Sequence, residues 1–180
     1  FIGVPHRIDR PTSGLLLLAK TSKALSRLNA MFQEKSIQKT YWAMVKQAPP
    51  KASGTIENHL ERNQQKNKSF VVKKPSDKSK LATLSYETLV ELEHYYLLEI
   101  KPLTGRHHQI RVQLANLGCS IKGDIKYGYS RTNDDASIHL HARKLNFVHP
   151  VKKEPVEIIA SCPRNDGLWK AAEAAAKKLQ

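Results

Sequence analysis

Apolar residues recur along this chain with two different periods, and the switches between them outline a fold. Residues 14–19, GLLLLA, form a short unbroken apolar run, the pattern of a strand covered on both faces. Thr21 then offers an N-cap, and Ala24, Leu25, Leu28, Met31 and Phe32 follow at three- and four-residue spacing, which predicts an amphipathic helix. Ile37 to Val45 is rich in β-branched and aromatic residues and predicts a strand. Residues 62–80, RNQQKNKSFVVKKPSDKSK, break the pattern with seven Lys or Arg against one Asp, which suits an exposed connection holding a short edge hairpin. Across 81–102, Leu84, Tyr86, Val90, Leu98 and Ile100 alternate with polar residues, giving two strands that turn at Glu93–Tyr96. Beyond Pro102, a second helix is expected from Thr104 as its cap, Ile110, Leu114 and Leu117 on one face, and Gly118 just past its end. Strands are expected around 137–148 and 155–161, and a final helix from Asp166 to the C-terminus. Strands and helices interleave without a strict βαβ rhythm, so the pattern favours one α+β domain over residues 1–180 with a mixed sheet.

Charge adds what periodicity cannot. Lys and Arg number 30 against 16 Asp and Glu, a formal net charge of +14, and the pI is near 9.8. That balance points to a polyanion, nucleic acid first, because cationic side chains release the counterions condensed on phosphates. With 40% hydrophobic and 26% charged residues the chain is no disordered tail, and no apolar run reaches the roughly 18–20 residues of a membrane span. The opening FIGVPHRIDR has neither a Met nor the regions of a secretory leader, so the sequence is expected to begin inside a longer gene product. Cys119 and Cys162 fit no disulfide framework, zinc knuckle or CxxC pair and read as reduced thiols of a cytoplasmic protein.

Two strings carry candidate chemistry. HRIDRPTSG sets Asp9 between Arg7 and Arg10, ahead of Pro11 and Gly14, a shaped loop in which flanking guanidiniums favour an ionised carboxylate. Such a carboxylate can serve as nucleophile or base; taken alone, the string is as easily a surface ion pair. LTGRHHQIRVQLANLG crowds Arg106, His107, His108 and Arg111 into the expected first turns of a helix, where free N–H groups also favour anions. His139 and His141, two apart, lack a further ligand at metal spacing and read as hydrogen-bonded structural residues. Asp124 reads as a turn former, and Trp42 and Trp169 as packing residues.

In order along the chain, HRIDRPTSGLLLLAK, KTYWAMV, LTGRHHQIR, GCSIKGDIKYG and IHLHARKLNFVHP closely resemble the RluA-type RNA pseudouridine synthases. These five strings run from His6 to Pro150. The resemblance implies a mixed, largely antiparallel bipartite sheet with helices packed outside and a catalytic cleft across it. It makes Asp9 the catalytic carboxylate, Tyr41 the ring set against the uracil, and Arg111 the basic partner of Asp9. Arg7 corresponds to the residue that helps displace the target nucleotide. Arg106 is expected to bind substrate, and Ile110 and Leu140 to supply apolar surface. It further implies a monomer acting on rRNA or tRNA, with no membrane, no metal and no cofactor, since isomerising uridine is redox-neutral and uses no phosphoryl donor. Tyr41 is expected as a phenol of ordinary pKa near 10. His107 stands where the family commonly has Thr or Ser, and Gln113 where His is common; the section that usually precedes the HRID string is absent from this sequence. Two other readings compete: an RNA-binding module without catalysis, which would not need Asp9, and a carboxylate-dependent nucleoside or glycoside hydrolase, which would need a second acid.

Overall fold

The computed structural model describes residues 1–179. Its strands are β1 (Ser13–Gly14), β2 (Gln38–Val45), β3 (Ser53–Asn63), β4 (Lys68–Val72), β5 (Lys80–Glu91), β6 (Tyr96–Pro102), β7 (Leu140–Val148) and β8 (Pro155–Ile159). The helices are α1 (Ser22–Gln33), α2 (Gln109–Asn116) and α3 (Gly167–Lys177), with a short 3-10 turn at Ile125–Tyr127. The strands form one sheet in the order β1-β7-β2-β6-β5-β3-β4, with β8 beside the far end of β7. Every pairing is antiparallel except β1 with β7, as expected of a mixed, largely antiparallel sheet.

The two halves of the sheet meet at β2 and β6, and these strands are buried on both faces. Ala43 and Val45 face Ile110 and Leu114 of α2 on one side; Trp42 and Met44 face Trp169 and Ala172 of α3 on the other. Alternation along a strand sends successive side chains to opposite faces, so one continuous apolar run serves two cores. Trp42 and Trp169 are accordingly core residues.

Double burial was expected instead at residues 14–19, and the structure corrects this. Only Ser13–Gly14 is strand, and Leu16 and Leu18 are exposed. The segment lies at the sheet edge against β7 alone, and Gly14, at φ +107, turns the backbone away after two paired residues. A Cβ at Gly14 would sit 2.3 Å from the Ala142 carbonyl oxygen, so glycine is what permits this close approach.

The Thr21 cap of α1 is as expected, its Oγ1 accepting from the Ala24 N–H at 3.1 Å. The turn at Leu92–Tyr95 and the edge hairpin β3–β4 also follow the pattern, although β3 itself was not foreseen. Its SGTIENHLERN sequence offers only Ile56 and Leu60 as buried apolar positions. Thr104 does not cap α2. The helix starts five residues later behind His108, whose backbone is left-handed at φ +52, while Thr104 Oγ1 donates to Gln109 Oε1 at 2.7 Å. Arg106, His107 and His108 therefore precede the helix, in a loop. Gly118, at φ +90, ends α2 as expected, and Asp166 caps α3 through the Trp169 N–H at 2.9 Å.

Candidate active site

The Asp9 loop is pinned from three sides. The Thr12 N–H closes a turn onto the Asp9 carbonyl at 2.9 Å, and the Ile138 N–H ties the Pro11 carbonyl to the segment before β7. His6 Nε2 accepts the Leu17 N–H at 2.8 Å, and its ring stacks on Phe32 of α1 at 4.6 Å. An acceptor nitrogen must be unprotonated; burial, helped by the nearby Lys39 charge, lowers the pKa of His6 to about 4. The loop delivers Asp9 to a cavity of about 1000 Å³, also lined by Arg7, Tyr41, Arg106, Ile110, Arg111 and Leu140. The sequence-derived site residues thus converge on one place.

Contacts to Asp9 come from α2 and from the residue preceding it. Arg111 Nη1 donates to Asp9 Oδ2 at 3.3 Å, and His108 Nε2 lies 3.8 Å from the same oxygen. Among the described residues Oδ1 accepts no hydrogen bond, and neither Arg7 nor Arg10 pairs with Asp9. The flanking guanidiniums read from sequence are both exposed, so the ion pair is long-range, spanning 102 residues.

Arg111 is itself held from behind. Its Nε and Nη2 donate to Asp124 Oδ2 and Oδ1 at 2.7 and 2.8 Å, a two-pronged bond between side chains both buried to 5% exposure or less. The guanidinium also lies 5.1 Å from the centre of the Tyr127 ring. Burial opposes the cation, but the hydrogen bonds and charges of Asp124, then of Asp9, outweigh it and raise the Arg111 pKa. In the sequence Asp124 reads only as a turn former. The signal was present in GDIKYG, which contains both Asp124 and Tyr127.

His108 was seen in sequence only as one member of a basic cluster. The Tyr127 hydroxyl accepts the Ser69 N–H at 2.9 Å and shares a hydrogen bond with His108 Nδ1, also at 2.9 Å. With the Tyr127 hydroxyl as donor, the neutral imidazole carries its proton on Nε2, the nitrogen facing Asp9. Burial and the Arg111 charge lower the His108 pKa to about 3, so the ring is neutral. His107 stacks on it at 3.7 Å and is held by Ser69 Oγ at 2.9 Å and Asn67 Oδ1 at 3.2 Å. Gln113, fully buried, donates to the carbonyls of Ile56 and Ala82. Both departures from the family pattern therefore anchor the α2 region to strands β3–β5.

Tyr41 departs from its expected ordinary pKa: burial, then the charge of Asp9, pushes the phenol up to about 12. Arg106 donates through Nε to the Leu81 carbonyl at 2.9 Å on the cavity rim, while Ile110 and Leu140 form buried apolar wall. Asp9 is the sole carboxylate lining the cavity among the described residues. His139 and His141 lie away from it. His139 is 3.0 Å from Asp166, and His141 bridges Ser13 Oγ and the Ala160 carbonyl. Both keep the structural role read from sequence, and among the described residues no three His, Cys, Asp or Glu side chains gather as a metal site.

The sequence profile of the RNA pseudouridylate synthase family matches residues 1–116. The chain belongs to that family. Among curated relatives it is 33% identical to ribosomal large subunit pseudouridine synthase D of Zymomonas mobilis, over 91% of this chain and 53% of the relative. It is 34% identical to synthase C of Vibrio vulnificus, over 96% of this chain and 55% of the relative. The chain thus spans about half the length of the curated pseudouridine synthases it matches. Among solved structures, human RNA pseudouridylate synthase domain containing 4 superposes with a TM-score of 0.77 at 23% identity. That match covers 98% of this chain and 76% of the human one, and shows that the pseudouridylate synthase fold is shared.

Proposed function

We propose that this chain isomerises a uridine of rRNA or tRNA to pseudouridine, with Asp9 as the reacting carboxylate. The observation that carries the reading is the asymmetry of Asp9, which lines the cavity: Oδ2 is held by Arg111 and faced by His108, while Oδ1 accepts no hydrogen bond among the described residues. In the isomerisation the bond from ribose C1′ to N1 breaks and a bond from C1′ to C5 forms. The C5 proton leaves to solvent and N1 gains one. Oδ1 is the oxygen available to attack C1′ or to take a ribose proton, and Arg111 fixes the carboxylate so that little reorganisation is needed on reaction. Tyr41, with its pKa near 12, stays protonated at neutral pH and offers a ring face and a hydroxyl donor rather than an anionic base. Ile110 and Leu140 supply apolar wall for the base.

The target base is stacked in folded RNA, and unstacking it costs a few kcal/mol. Arg7, exposed on the Asp9 loop, is placed to enter the vacated space, and Arg106 to meet backbone phosphate at the rim. The relatives' names direct the choice of RNA first to large-subunit rRNA. A lone cavity carboxylate favours isomerisation over glycoside hydrolysis, which ordinarily uses two.

Asp9→Asn tests the reading. The amide is nearly isosteric and loses only the charge, so tritium release from C5-labelled rRNA should vanish while RNA affinity stays within roughly tenfold, because removing an anion does not weaken contacts to a polyanion. Appreciable turnover by this variant overturns the assignment of Asp9.

A further inference from the structure

We infer that Asp124 is a positioning residue of the reaction: it takes up much of the positive charge of Arg111, so that Asp9 is aimed by the guanidinium without being locked into a full ion pair. The inference rests on the function proposed for Asp9 and extends it to a residue outside the cavity lining.

The geometry is unequal in a telling way. Arg111 presents five N–H donors in a rigid planar fork, and two-pronged bonds to one carboxylate are the strongest it forms. Here that bond goes to Asp124, at 2.7 and 2.8 Å, not to Asp9, which receives one longer contact of 3.3 Å. Asp124 is 1% exposed and Asp9 19% by side chain, so the tighter pair is also the one shielded from water. An arginine serving only as a tether for Asp9 would turn its fork towards Asp9. An arginine serving only to staple α2 to the 3-10 turn would leave no N–H pointing at the cavity. Asp124 resolves both: it fixes the plane of the fork, so that Nη1 points at Oδ2, and it offsets the charge that Nη1 carries.

The offset matters for chemistry. A carboxylate gripped by an unshared guanidinium is a more stable anion, and therefore a weaker nucleophile and base. The other groups facing Asp9 do not supply this balance. His108 is neutral, Tyr41 from β2 and Tyr127 from the 3-10 turn are protonated phenols, and His107 stacks behind His108. Among the described residues, Asp124 alone carries a negative charge within hydrogen-bond reach of Arg111 besides Asp9 itself.

The test is a carboxyl carbon-13 NMR titration of Asp9 in the intact chain, its resonance identified by loss in Asp9→Asn. Asp124→Asn keeps the shape and leaves Arg111 uncompensated. The Asp9 midpoint should then fall by about 1 unit relative to the native chain, the lower end of what an unshared adjacent cation causes. The acid limb of the single-turnover pH–rate profile should shift the same way, with a plateau at least tenfold lower. A merely structural Asp124 would lower the yield of folded protein but move neither midpoint nor limb, and unchanged values in folded Asp124→Asn overturn the inference. Should Asp124→Asn not fold, the charge-neutral double variant R111Q/D124N reads the same quantity. If the pair acts on Asp9 as a nearly balanced unit, its removal raises the midpoint by less than about half a unit. A rise above 1 unit, the effect of losing a whole cation, overturns the inference. The titration needs no RNA, so a chain inactive on every RNA would sink the proposed function while leaving this result separate.

Discussion

Arg7 and Arg111 both line the cavity, yet their surroundings differ. Arg111 is buried and bonded to two carboxylates; Arg7 is exposed and free of Asp9. Arg111→Met should therefore remain slow even on an RNA whose target uridine is unpaired and unstacked. Arg7→Ala should be partly rescued by that RNA, which no longer incurs the few kcal/mol of extrusion. Single-turnover rates on structured and unstructured substrates check this, and equal rescue of both variants would mean the roles are misassigned. Because Arg111→Met leaves Asp124 buried without its partner, a loss of about 3–5 kcal/mol, the rates must be taken below that variant's own melting temperature. At this scale the sequence was legible for residues local to a motif: Asp9, Tyr41 and Arg111 line one cavity, and Arg111 reaches Asp9 at 3.3 Å. It was not legible for Asp124, because a turn-forming Asp and a buried guanidinium partner look alike until a residue 13 positions away is brought against it.

Among the elements, β1 does much with two residues. Its parallel pairing to β7, Ser13 with His141 and Gly14 with Ala142, is among the described residues the strand pairing that holds the Asp9 loop to the sheet. Gly14→Ala would force a Cβ against the Ala142 backbone in a left-handed conformation, which costs about 2 kcal/mol or more. The melting temperature should drop by at least about 4 °C, and the rate of pseudouridine formation should fall in protein that is still folded, since Asp9 lies five residues upstream. A variant matching the native chain in both would show that β1 does not position the loop. The pattern of apolar residues misjudged this segment because GLLLLA and KTYWAMV are both strongly apolar locally. Only sheet order decides that β2 sits in the middle and β1 at the edge. The start of α2 was misplaced for a similar reason: Thr104 is a good cap by type, but its hydroxyl is committed to Gln109 across the loop.

The whole molecule carries a pH dependence written in its histidines. His6 and His108 titrate near 4 and 3, against about 6.5 in an unfolded chain, and burial also lowers His107, His139 and His141. Below pH 6.5 the unfolded state therefore binds more protons than the folded one, so stability rises with pH. The contribution of these rings is complete above about pH 6.5 and is shed on acidification, through about 4 for His6 and 3 for His108. Melting temperatures measured from pH 7 down to 5 should fall steadily, and a flat profile over that range would contradict the neutral, buried assignment. The parallel bond of β1 to β7 has one more effect, on timing. Asp9 precedes β7 by some 130 residues, yet its loop is bound to Ile138, His141 and Ala142, and its partner Arg111 is aimed by Asp124. On the ribosome, then, the carboxylate waits through some 130 residues of synthesis before the β7 partners of its loop, His141 and Ala142, emerge. A chain interrupted before β7 carries Asp9, Tyr41 and Arg111 but lacks the strand to which β1 is bound.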